Sequence, residues 1–538
     1  MPSSSLRVLQ CAAAAALSSA ASFTATLPSP LANTTPLNFP ILDCVGSSHG
    51  SMALRADYRE HLARVQRDIG FKHIRGHGLL DDDMSTFLGG HANLANLFNV
   101  LDFYQSVGLK PILELSFMPE ALALDPAKTI MHYKGITSTF KSAAAWTAFV
   151  AEVLQGLQAR YGADETRSWR YEVWNEPNGC GFFCPAPGVP QLEGYLELYN
   201  ATVAAFAATD PLLSVGGPAT ASLTWVAEFI NATSAANANR LHASFLSTHS
   251  YPTDYKGAAV TRTVWEDNIV AAAAQAAAAG LPLVMTEISA GLGSQYDPPF
   301  AGAFILHAAA AFLGVPNIPT LSYWTFSDVF EEPGFRSSPY VNEYGIQTKY
   351  GVPKPSYRAF EMLARFPTSG VPVAADAGGA PRRPGAGPAA ACTATVGTVD
   401  VITAIDATLG TTLSLHALVT NYNANVNDAT NPATGLPIAT AAGVVVRFAG
   451  LPAGAVLPPT ATVTLLNSTS GWARPAWVAA GQPEYPSSDE IAAELAASVP
   501  ARITLPLTAD AGSVAVTLPD LEPYAFAALV IEVALPPA

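Results

Sequence analysis

The chain has 538 residues, of which 50% are hydrophobic, and a formal net charge of −15 at pH 7. That length is too great for one ordinary domain and fits a barrel of roughly 250 to 400 residues with an appendage. The acidic balance excludes a surface built to bind polyanions, because such a surface needs clustered Lys and Arg. A neutral or weakly charged ligand fits better.

The first 22 residues have the pattern of a secretory signal peptide. Arg7 supplies the positive charge, residues 11–17 form a short apolar run, and small residues follow at 19–21. The run is rich in alanine, so a plastid-type targeting peptide is the alternative. We therefore expect a secreted protein, with a lysosomal, vacuolar or other organelle lumen as the alternative destination. The later apolar run at 271–280 is too short to span a membrane.

Glycosylation sequons and cysteines are compatible with secretion. Four N-x-S/T sequons occur: Asn33, Asn200, Asn231 and Asn467. After removal of the signal, four cysteines remain: Cys44, Cys180, Cys184 and Cys392. Cys180 and Cys184 are close enough in sequence to form a local disulfide, with free thiols as the alternative. No second Cys/His pair stands nearby to complete a tetrahedral metal site.

From about Leu42 to Phe366, short apolar runs alternate with amphipathic stretches, which indicates βα units around a parallel sheet. The predicted strands are 41–46, 72–77, 110–116, 169–176, 212–218, 245–251, 281–287 and 321–327. The predicted helices are 58–68, 94–107, 143–161, 192–208, 223–236, 265–279, 301–313 and 356–364. Eight strands and eight helices are typical of a (β/α)8 TIM barrel, which we place at 40–366. A doubly wound open sheet is the rival, but no Gly-rich phosphate turn is present.

Beyond Phe366 the composition changes. Residues 367–397 are rich in Pro, Gly and Ala and predict a linker or loop. Residues 398–538 contain a series of β-branched or alternating runs, which predict a β-sandwich domain. The segment 23–39 is a further candidate to pack with it. The fold class is therefore α/β, a TIM barrel with an additional all-β domain.

Two glutamates stand at predicted strand tips. Glu176 ends the fourth strand in YEVWNEPN (171–178), beside Trp174, and Glu287 ends the seventh strand in LVMTEIS. Strands four and seven face one another across a barrel mouth, so both carboxylates can reach one sugar. Glycoside hydrolysis needs such a pair, with one group protonating the leaving oxygen and, in retaining enzymes, the other attacking the anomeric carbon. A salt-bridged strand-end Glu is the structural alternative for either one.

These residues carry a resemblance to a known family. YEVWNEPN and the seventh-strand TE resemble the retaining (β/α)8 glycosidases, and several segments resemble glycoside hydrolase family 39, which contains β-xylosidases and α-L-iduronidases. The segments are IGFKHIRGHGLLDDDM (69–84), VGLKPILELSFMPEALA (107–123), STHSYP (247–252), SYWTFSDVFEE (322–332) and GVPKPSYRAFEML (351–363). The resemblance covers about residues 40–366. It implies that Glu176 is the general acid/base and Glu287 the nucleophile.

The resemblance also implies supporting roles. Arg75 and Tyr251 would hydrogen-bond Glu287 and keep it ionised, and Asn175 would bind the sugar 2-hydroxyl. The glycone subsite would be lined by His77, Phe117, His249, Tyr251, Trp324, Glu331 and Glu332. Alternatives stay open: Arg75 paired with Asp81, His249 as a core histidine, and Trp324 as barrel packing. The Asp81–Asp83 run is expected to be a solvated loop or a helix cap.

One segment departs from the family pattern. GCGFFC (179–184) follows the acid/base residue where the xylosidases commonly have a shorter turn containing an aromatic residue. The cysteine pair would stiffen this loop at the rim of the pocket, so the preference for the leaving group does not carry over from the family.

The substrate class follows from the scarcity of cations at the strand tips. A uronate-cleaving α-L-iduronidase needs well-placed cations, and only Arg336 and Lys349 stand near. We therefore expect a neutral sugar, β-D-xylose first, with exo action by analogy to the family and with the iduronidase or another β-glycosidase of the family as alternatives. The partner is an oligosaccharide or glycoside rather than a nucleic acid, and no cofactor or metal is needed.

Two further classes were weighed. A catalytically dead carbohydrate-binding glycoprotein predicts the loss of a carboxylate, but both are present. An aldolase or a metal-dependent hydrolase on the same barrel needs a strand-tip Lys or a His/Asp cluster, whereas His77 and His249 stand singly. The sequence does not determine the oligomeric state.

Overall fold

A computed structural model describes residues 21–234, 236–237, 241–255, 261–293, 295–381, 383, 385–407, 410–424 and 438–536. The predicted signal peptide, residues 1–22, lies outside the described residues except for its last two positions. Ser22 already belongs to a β-strand, so the described fold starts at the predicted cleavage region.

Eight parallel strands close into a barrel. They are β1 (Cys44–Gly46), β2 (His73–Gly76), β3 (Lys110–Glu114), β4 (Arg170–Glu172), β5 (Ser214–Thr220), β6 (Phe245–His249), β7 (Leu283–Ile288) and β8 (Thr320–Tyr323). Each strand pairs with its neighbours in chain order, and β8 pairs with β1. The predicted fold class is confirmed, and each strand lies within or overlaps the apolar run that predicted it.

Eight helices surround the strands. They are α1 (Ala56–Asp68), α2 (Ala95–Ser106), α3 (Ala143–Tyr161), α4 (Gln191–Thr209), α5 (Val226–Thr233), α6 (Val264–Ala278), α7 (Pro299–Phe312) and α8 (Pro355–Ala364). The first shows why they form: Tyr58, Leu62 and Val65 recur at helical spacing and are fully buried. A short helix (Ala163–Arg167) lies between α3 and β4. The loops after β2 and β3 each carry a small hairpin (Phe87–Leu88 with His91–Ala92, and Thr129–Ile130 with Gly135–Ile136).

The all-β part is a sandwich of two sheets. The smaller sheet has the order Val373–Ala375, Ser22–Thr26, Val445–Ala449, Ser513–Thr517 and Thr508–Asp510. The larger has the order Thr35–Pro36, Ser369–Gly370, Val399–Asp406, Thr412–Asn421, Phe526–Ala534, Thr460–Leu466 and Ala501–Pro506, with Thr393–Val396 also paired to Val399–Asp406. Phe23 and Val446 from one sheet share a core with Val463 and Leu529 from the other.

The segment predicted as a linker contributes strands to this sandwich. Within 367–397, Val373–Ala375 pairs with Ser22–Thr26, and Thr393–Val396 forms a hairpin with Val399–Asp406. The Pro- and Gly-rich composition describes the turns between these strands and not the whole segment. The N-terminal segment joins the same sandwich, because Ser22–Thr26 also pairs with Val445–Ala449.

Two helices interrupt the β-domain, and the sequence analysis did not predict them. Arg474–Ala479 and Ser488–Ala497 follow the strand Thr460–Leu466. They pack against the barrel, where the Tyr340 hydroxyl donates to Glu494 over 2.9 Å. This contact attaches the β-domain to the long loop after β8.

The remaining expectations concern the surface and the thiols. Asn33, Asn200 and Asn231 are exposed and Asn467 is half-buried. Cys44 and Cys392 are buried and are not joined in a disulfide. Within the described part of the chain, no helix is both long and apolar enough to cross a bilayer.

Candidate active site

The two predicted catalytic glutamates meet at the barrel mouth. A carboxylate oxygen of Glu176, a ring nitrogen of His249 and a carboxylate oxygen of Glu287 all lie within 4.8 Å of one another. His249 Nδ1 is 2.9 Å from Glu176 Oε1 and 3.6 Å from Glu287 Oε2. The imidazole therefore stands between the two acids, and one sugar ring can contact both.

The backbone at the end of β4 presents Glu176 to the cleft. Trp174 and Glu176 have positive φ values of 73° and 42°, a conformation that costs free energy for residues with a side chain and concentrates at functional sites. The Glu176 N–H donates to the carbonyl of Ala219 at the end of β5, over 2.9 Å. This bond fixes the turn that carries the carboxylate.

Trp174 lies away from the position that the sequence predicts for it. We expected it to flank the Glu176 carboxylate, but its fully buried ring packs on Phe117 and Phe183. Its indole N–H donates to the carbonyl of Phe182 over 2.8 Å. Trp174 therefore stabilises the loop that follows Glu176.

Glu287 is surrounded by donors and cations. Its Oε1 accepts from the Arg75 guanidinium over 2.7 Å and its Oε2 from the Tyr251 hydroxyl over 2.6 Å. Burial by itself raises the pKa of Glu287. The neighbouring imidazole and guanidinium groups and the Tyr251 hydroxyl outweigh this effect and lower the pKa to about 2. The carboxylate is thus ionised at neutral pH, as a nucleophile must be.

Arg75 is a buried hub and is not paired with Asp81. Besides Glu287, its guanidinium contacts Glu172 at 2.5 Å, Glu114 at 2.7 Å and the side-chain oxygen of Asn175 at 2.9 Å. The Arg75, Glu114 and Glu172 side chains have no exposed surface. One cation therefore fixes the nucleophile and the residue next to the acid/base together.

Arg75→Met is expected to lower the free energy of unfolding by about 3–5 kcal/mol or more, because it leaves buried carboxylates without their counter-charge. Urea denaturation followed by circular dichroism measures this. Arg67→Met is the matched control, since Arg67 is 67% exposed and pairs only with Asp68, and about 1 kcal/mol or less is expected. Equal stability of Arg75→Met and the wild type would contradict the role of Arg75 as a hub.

His77 lies next to the nucleophile, and Trp324 packs against His77. His77 Nδ1 is 2.9 Å from Glu114, and its Nε2 is 3.5 Å from Glu287 and 3.6 Å from Glu332. Burial lowers the pKa of His77, but Glu114 outweighs it and raises the pKa to about 9. The Trp324 ring lies 4.6 Å from the His77 ring.

A glycine in β1 makes room for this tryptophan. A Cβ on Gly46 would lie 2.5 Å from Trp324 Cε3. A larger residue at this position would therefore displace the Trp324 ring from the cleft.

Phe117 stands behind the wall of the cleft. It is fully buried and packs on Trp174 and Phe182. Its ring also lies 6.3 Å from the His77 ring, and its role in lining the subsite remains a prediction.

The adjacent acids Glu331 and Glu332 lie in the loop after β8 with side chains 16% and 13% exposed. Glu331 Oε1 is 2.8 Å from His49 Nδ1. Burial is the main cause that raises the pKa of Glu332, to about 8, with the charges of Glu287 and Glu176 adding to it against His77. Glu332 therefore lies beside His77 and Glu331 beside His49, and the role of both acids in the glycone subsite remains a prediction.

The Asp81–Asp83 run is only partly solvated. Asp81 is 5% exposed, and its carboxylate accepts from His49 Nε2 over 2.9 Å and from the Phe117 N–H over 2.8 Å. Asp81 precedes the short 3₁₀ helix Asp82–Met84 but makes no side-chain capping bond to it. The expectation of a solvated loop or cap was wrong for Asp81, because His49 provides a buried partner that the sequence did not reveal.

The loop after the acid/base residue is cross-linked. Cys180 and Cys184 form a disulfide, and the Cys184 N–H donates to the Thr137 carbonyl over 2.7 Å. The GCGFFC segment is therefore tied to the loop after β3 and to Trp174 at the rim of the cleft.

The two basic residues considered for uronate recognition are engaged elsewhere. Arg336 Nε is 3.5 Å from Glu343, and Lys349 Nζ donates to the carbonyls of Arg336 and Ser337. Both line a separate surface cavity with Arg55, Phe335 and Tyr485.

Two clusters in the described residues have donor atoms close enough to hold a metal ion: Glu176–His249–Glu287 and His49–Asp81–Asp83. In each, a histidine nitrogen is already within 2.9 Å of a carboxylate oxygen. Hydrogen bonds account for both arrangements, and acid/base chemistry needs no ion between them.

Four residues of the site were not found from the sequence. Glu114 and Glu172 are charged residues within apolar strands, and this is a signal that marks a buried functional network. His49, in the loop after β1, stacks on Tyr133 from the loop after β3. Neither residue carries such a signal, since their partners come from other loops.

The chain resembles known proteins over most of its length. The sequence model described as glycosyl hydrolases family 39 matches residues 31–514. The beta-xylosidase of Caldicellulosiruptor saccharolyticus is 38% identical over 341 residues, which cover 60% of this chain and 68% of that protein. The beta-xylosidase of Geobacillus stearothermophilus is 31% identical over 347 residues, 60% of this chain and 67% of that protein.

A solved structure has the same fold. The GH39 enzyme from Xanthomonas axonopodis pv. citri superimposes with a TM-score of 0.76 at 24% identity, over 96% of this chain and 98% of that one. The family match extends over most of the chain, including the barrel that brings Glu176 and Glu287 together. This protein therefore belongs to glycosyl hydrolases family 39 and is a glycoside hydrolase.

Proposed function

We propose that the protein is an exo-acting β-xylosidase that cleaves with retention of configuration. The observation that carries the proposal is the spacing of the two carboxylates, whose oxygens lie within 4.8 Å. Retaining glycosidases hold their carboxyl groups about 5–5.5 Å apart, whereas inverting enzymes leave about 6.5–9.5 Å for a water molecule.

The reaction proceeds by double displacement. A Glu287 oxygen attacks the anomeric carbon while the bond to the aglycone oxygen breaks, and Glu176 transfers its proton to that oxygen. Water then gives a proton to Glu176 and attacks the same carbon, and the bond to Glu287 breaks. Two inversions return the sugar with its original anomeric configuration.

The environments of the two glutamates suit these roles. Arg75 and Tyr251 bond both oxygens of Glu287 and hold it ionised, whereas Glu176 contacts only a histidine among these groups, at 2.9 Å, and keeps an 18% exposed side chain. The partly exposed acid can exchange a proton with the leaving group and with water. The buried, ionised carboxylate of Glu287 can act only as a nucleophile.

Xylose as the glycone is supported by two observations. The relatives from Caldicellulosiruptor saccharolyticus and Geobacillus stearothermophilus are both named beta-xylosidases. Arg336 and Lys349 are held by Glu343 and by backbone carbonyls, which leaves them unsuited to a uronate carboxylate. This favours β-xylosidase over α-L-iduronidase activity.

Exo action is supported by the end of the cleft beside Glu332. There the loops after β1, β2 and β8 are held together by fully buried His49, which contacts Asp81 and Glu331. A chain of further sugars needs an open groove there.

A panel of 4-nitrophenyl glycosides tests the proposal. We expect kcat/KM for the β-D-xyloside to exceed that for the β-D-glucoside, α-L-arabinoside and α-L-iduronide by about 10-fold or more, since one mismatched group in a pocket costs about 1–3 kcal/mol. Proton NMR should show β-xylose as the first product. α-Xylose as the first product would overturn the retaining mechanism, and a preference for the iduronide would overturn the choice of sugar.

A further inference from the structure

Four loops of the barrel mouth meet at His49, a residue with no role in the mechanism above. His49 Nε2 lies 2.9 Å from Asp81 in the loop after β2, and its Nδ1 lies 2.8 Å from Glu331 in the loop after β8. The ring stacks on Tyr133 from the loop after β3, with centroids 3.8 Å apart and planes 4° apart. Its side chain is completely buried.

The fit around the ring is tight. Gly78 adopts φ +63°, and a Cβ there would lie 2.4 Å from His49 Cδ2. A carboxylate oxygen of Asp83 is 3.4 Å from Nε2 and the Ser51 hydroxyl is 3.2 Å from Nδ1. The ring therefore has one orientation, fixed from both edges and from one face.

These contacts define the protonation state of His49. Each ring nitrogen faces a carboxylate oxygen, and because an ionised carboxylate only accepts hydrogen bonds, this geometry favours a proton on both nitrogens. Burial by itself lowers the pKa of His49, but the hydrogen bonds to Asp81 and Glu331 outweigh burial and raise the pKa to about 10. The residue is a buried imidazolium at neutral pH.

The cation distinguishes two adjacent acids. Glu331 receives a charge-assisted hydrogen bond from it, whereas Glu332, 3.6 Å from His77, has a pKa raised to about 8 by burial first. Glu331 is thereby paired with an N–H group of His49 as a hydrogen-bond acceptor, whereas burial favours the protonated form of Glu332, which can donate. A sugar with two vicinal hydroxyls can match this pair, because one hydroxyl can donate to Glu331 and the other can accept from Glu332.

We propose that His49 is a positioning residue whose two N–H groups fix Glu331 as the acceptor for a sugar hydroxyl remote from the anomeric carbon. The inference rests on the proposed function, because it assigns the hydroxyl recognition of that same site. His49 does not touch the reacting atoms. It acts through the orientation and the charge of Glu331.

Deoxygenated substrates test this role. His49→Gln is expected to lower kcat/KM for 4-nitrophenyl β-D-xyloside by about 10- to 100-fold, as expected for a misplaced binding group. For the 3-deoxy or the 4-deoxy analogue, whichever lacks the hydroxyl that Glu331 binds, the loss should be less than about 3-fold. The variant His49→Gln/Glu331→Gln should be no worse than Glu331→Gln alone.

The matched control is His61→Gln. His61 is also a buried histidine, 5% exposed, but its Nδ1 bonds to the Ser327 hydroxyl and not to an acid. Its substitution should leave the ranking of the three substrates as in the wild type. A uniform loss on all three substrates for His49→Gln, or losses that multiply in the double variant, would overturn the proposal.

A second measurement uses the wild-type protein without substrate, so its result does not depend on whether a variant folds. Imidazole ¹⁵N spectra of the wild-type protein should show both His49 nitrogens protonated at pH 8.5, and a neutral ring at that pH would overturn the proposal. If the wild type cleaves no xyloside, the proposed function fails, while the NMR result still decides whether the ring holds both protons.

Discussion

Glu287→Gln is expected to lower kcat for 4-nitrophenyl β-D-xyloside by about 10⁵-fold, because an amide cannot form the covalent intermediate and removal of a nucleophile costs on this order. The substitution is nearly isosteric. The amide oxygen can accept from Arg75 and the amide NH2 can donate to the Tyr251 oxygen, so folding should be retained. Steady-state kinetics with purified protein measure the change, and thermal denaturation verifies the fold.

The control and the stereochemistry make this result specific. Glu120→Gln changes an exposed carboxylate in a loop at the barrel mouth and should leave kcat within about 2-fold, as for surface substitutions. In Glu287→Gly, azide can occupy the vacated space and attack the anomeric carbon directly, which yields the α-xylosyl azide. Formation of the β-azide by Glu287→Gly would contradict the nucleophilic role of Glu287.

The second large effect is expected for Glu176→Gln and depends on the leaving group. For xylobiose, whose leaving oxygen needs a proton, kcat/KM should fall by about 10³- to 10⁴-fold, the upper range for general acid catalysis. For the 4-nitrophenyl xyloside the leaving phenolate is stable without protonation, so kcat/KM should fall by about 10-fold or less. Hydrolysis of the intermediate, which still needs the base, then becomes rate-limiting.

Azide also tests the acid/base role of Glu176. It needs no general base, so it should accelerate turnover of the aryl xyloside by Glu176→Gln and yield the β-xylosyl azide. An equal loss of kcat/KM on xylobiose and on the aryl xyloside would show that Glu176 is not the acid. The contact of His249 with Glu176, 2.9 Å, should keep the glutamine in the same place.

The barrel was predictable because its strands and helices are strongly patterned. Runs such as Leu283–Ile288 are continuously apolar up to a polar tip, and helices such as Ala56–Asp68 bury residues at helical spacing. Local patterns of this kind determine the order of the elements. The closure of the barrel follows from their number.

The site was predictable only as far as the motif extended. Glu176, Glu287, Arg75 and Tyr251 are recognisable in their segments, and the structure brings them together. His49 could not be found, because its partners come from loops about 30 and 280 residues away. A single histidine in a loop has no local pattern that reveals such contacts.

The β-domain sequence contains a helix-start signal for one of its two helices, which the sequence analysis did not use. The sequence S487-S-D-E490 has the spacing of a capping box, and in the structure Ser487 and Glu490 cap Ser488–Ala497 reciprocally. The strands at 369–375 and 393–396 had no comparable signal, since they are short and surrounded by Pro and Gly. Their pairing is imposed by the sandwich and not by local propensity.

The position of Ser22–Thr26 inside the smaller sheet makes the β-domain discontinuous. This strand is flanked by Val373–Ala375 and Val445–Ala449, so during synthesis it leaves the ribosome hundreds of residues before its neighbours exist. Its apolar face therefore stays exposed while the barrel forms, and exposed apolar surface of this kind promotes aggregation. Engineers who wish to exchange the sandwich for another module must therefore replace both ends of the polypeptide at once.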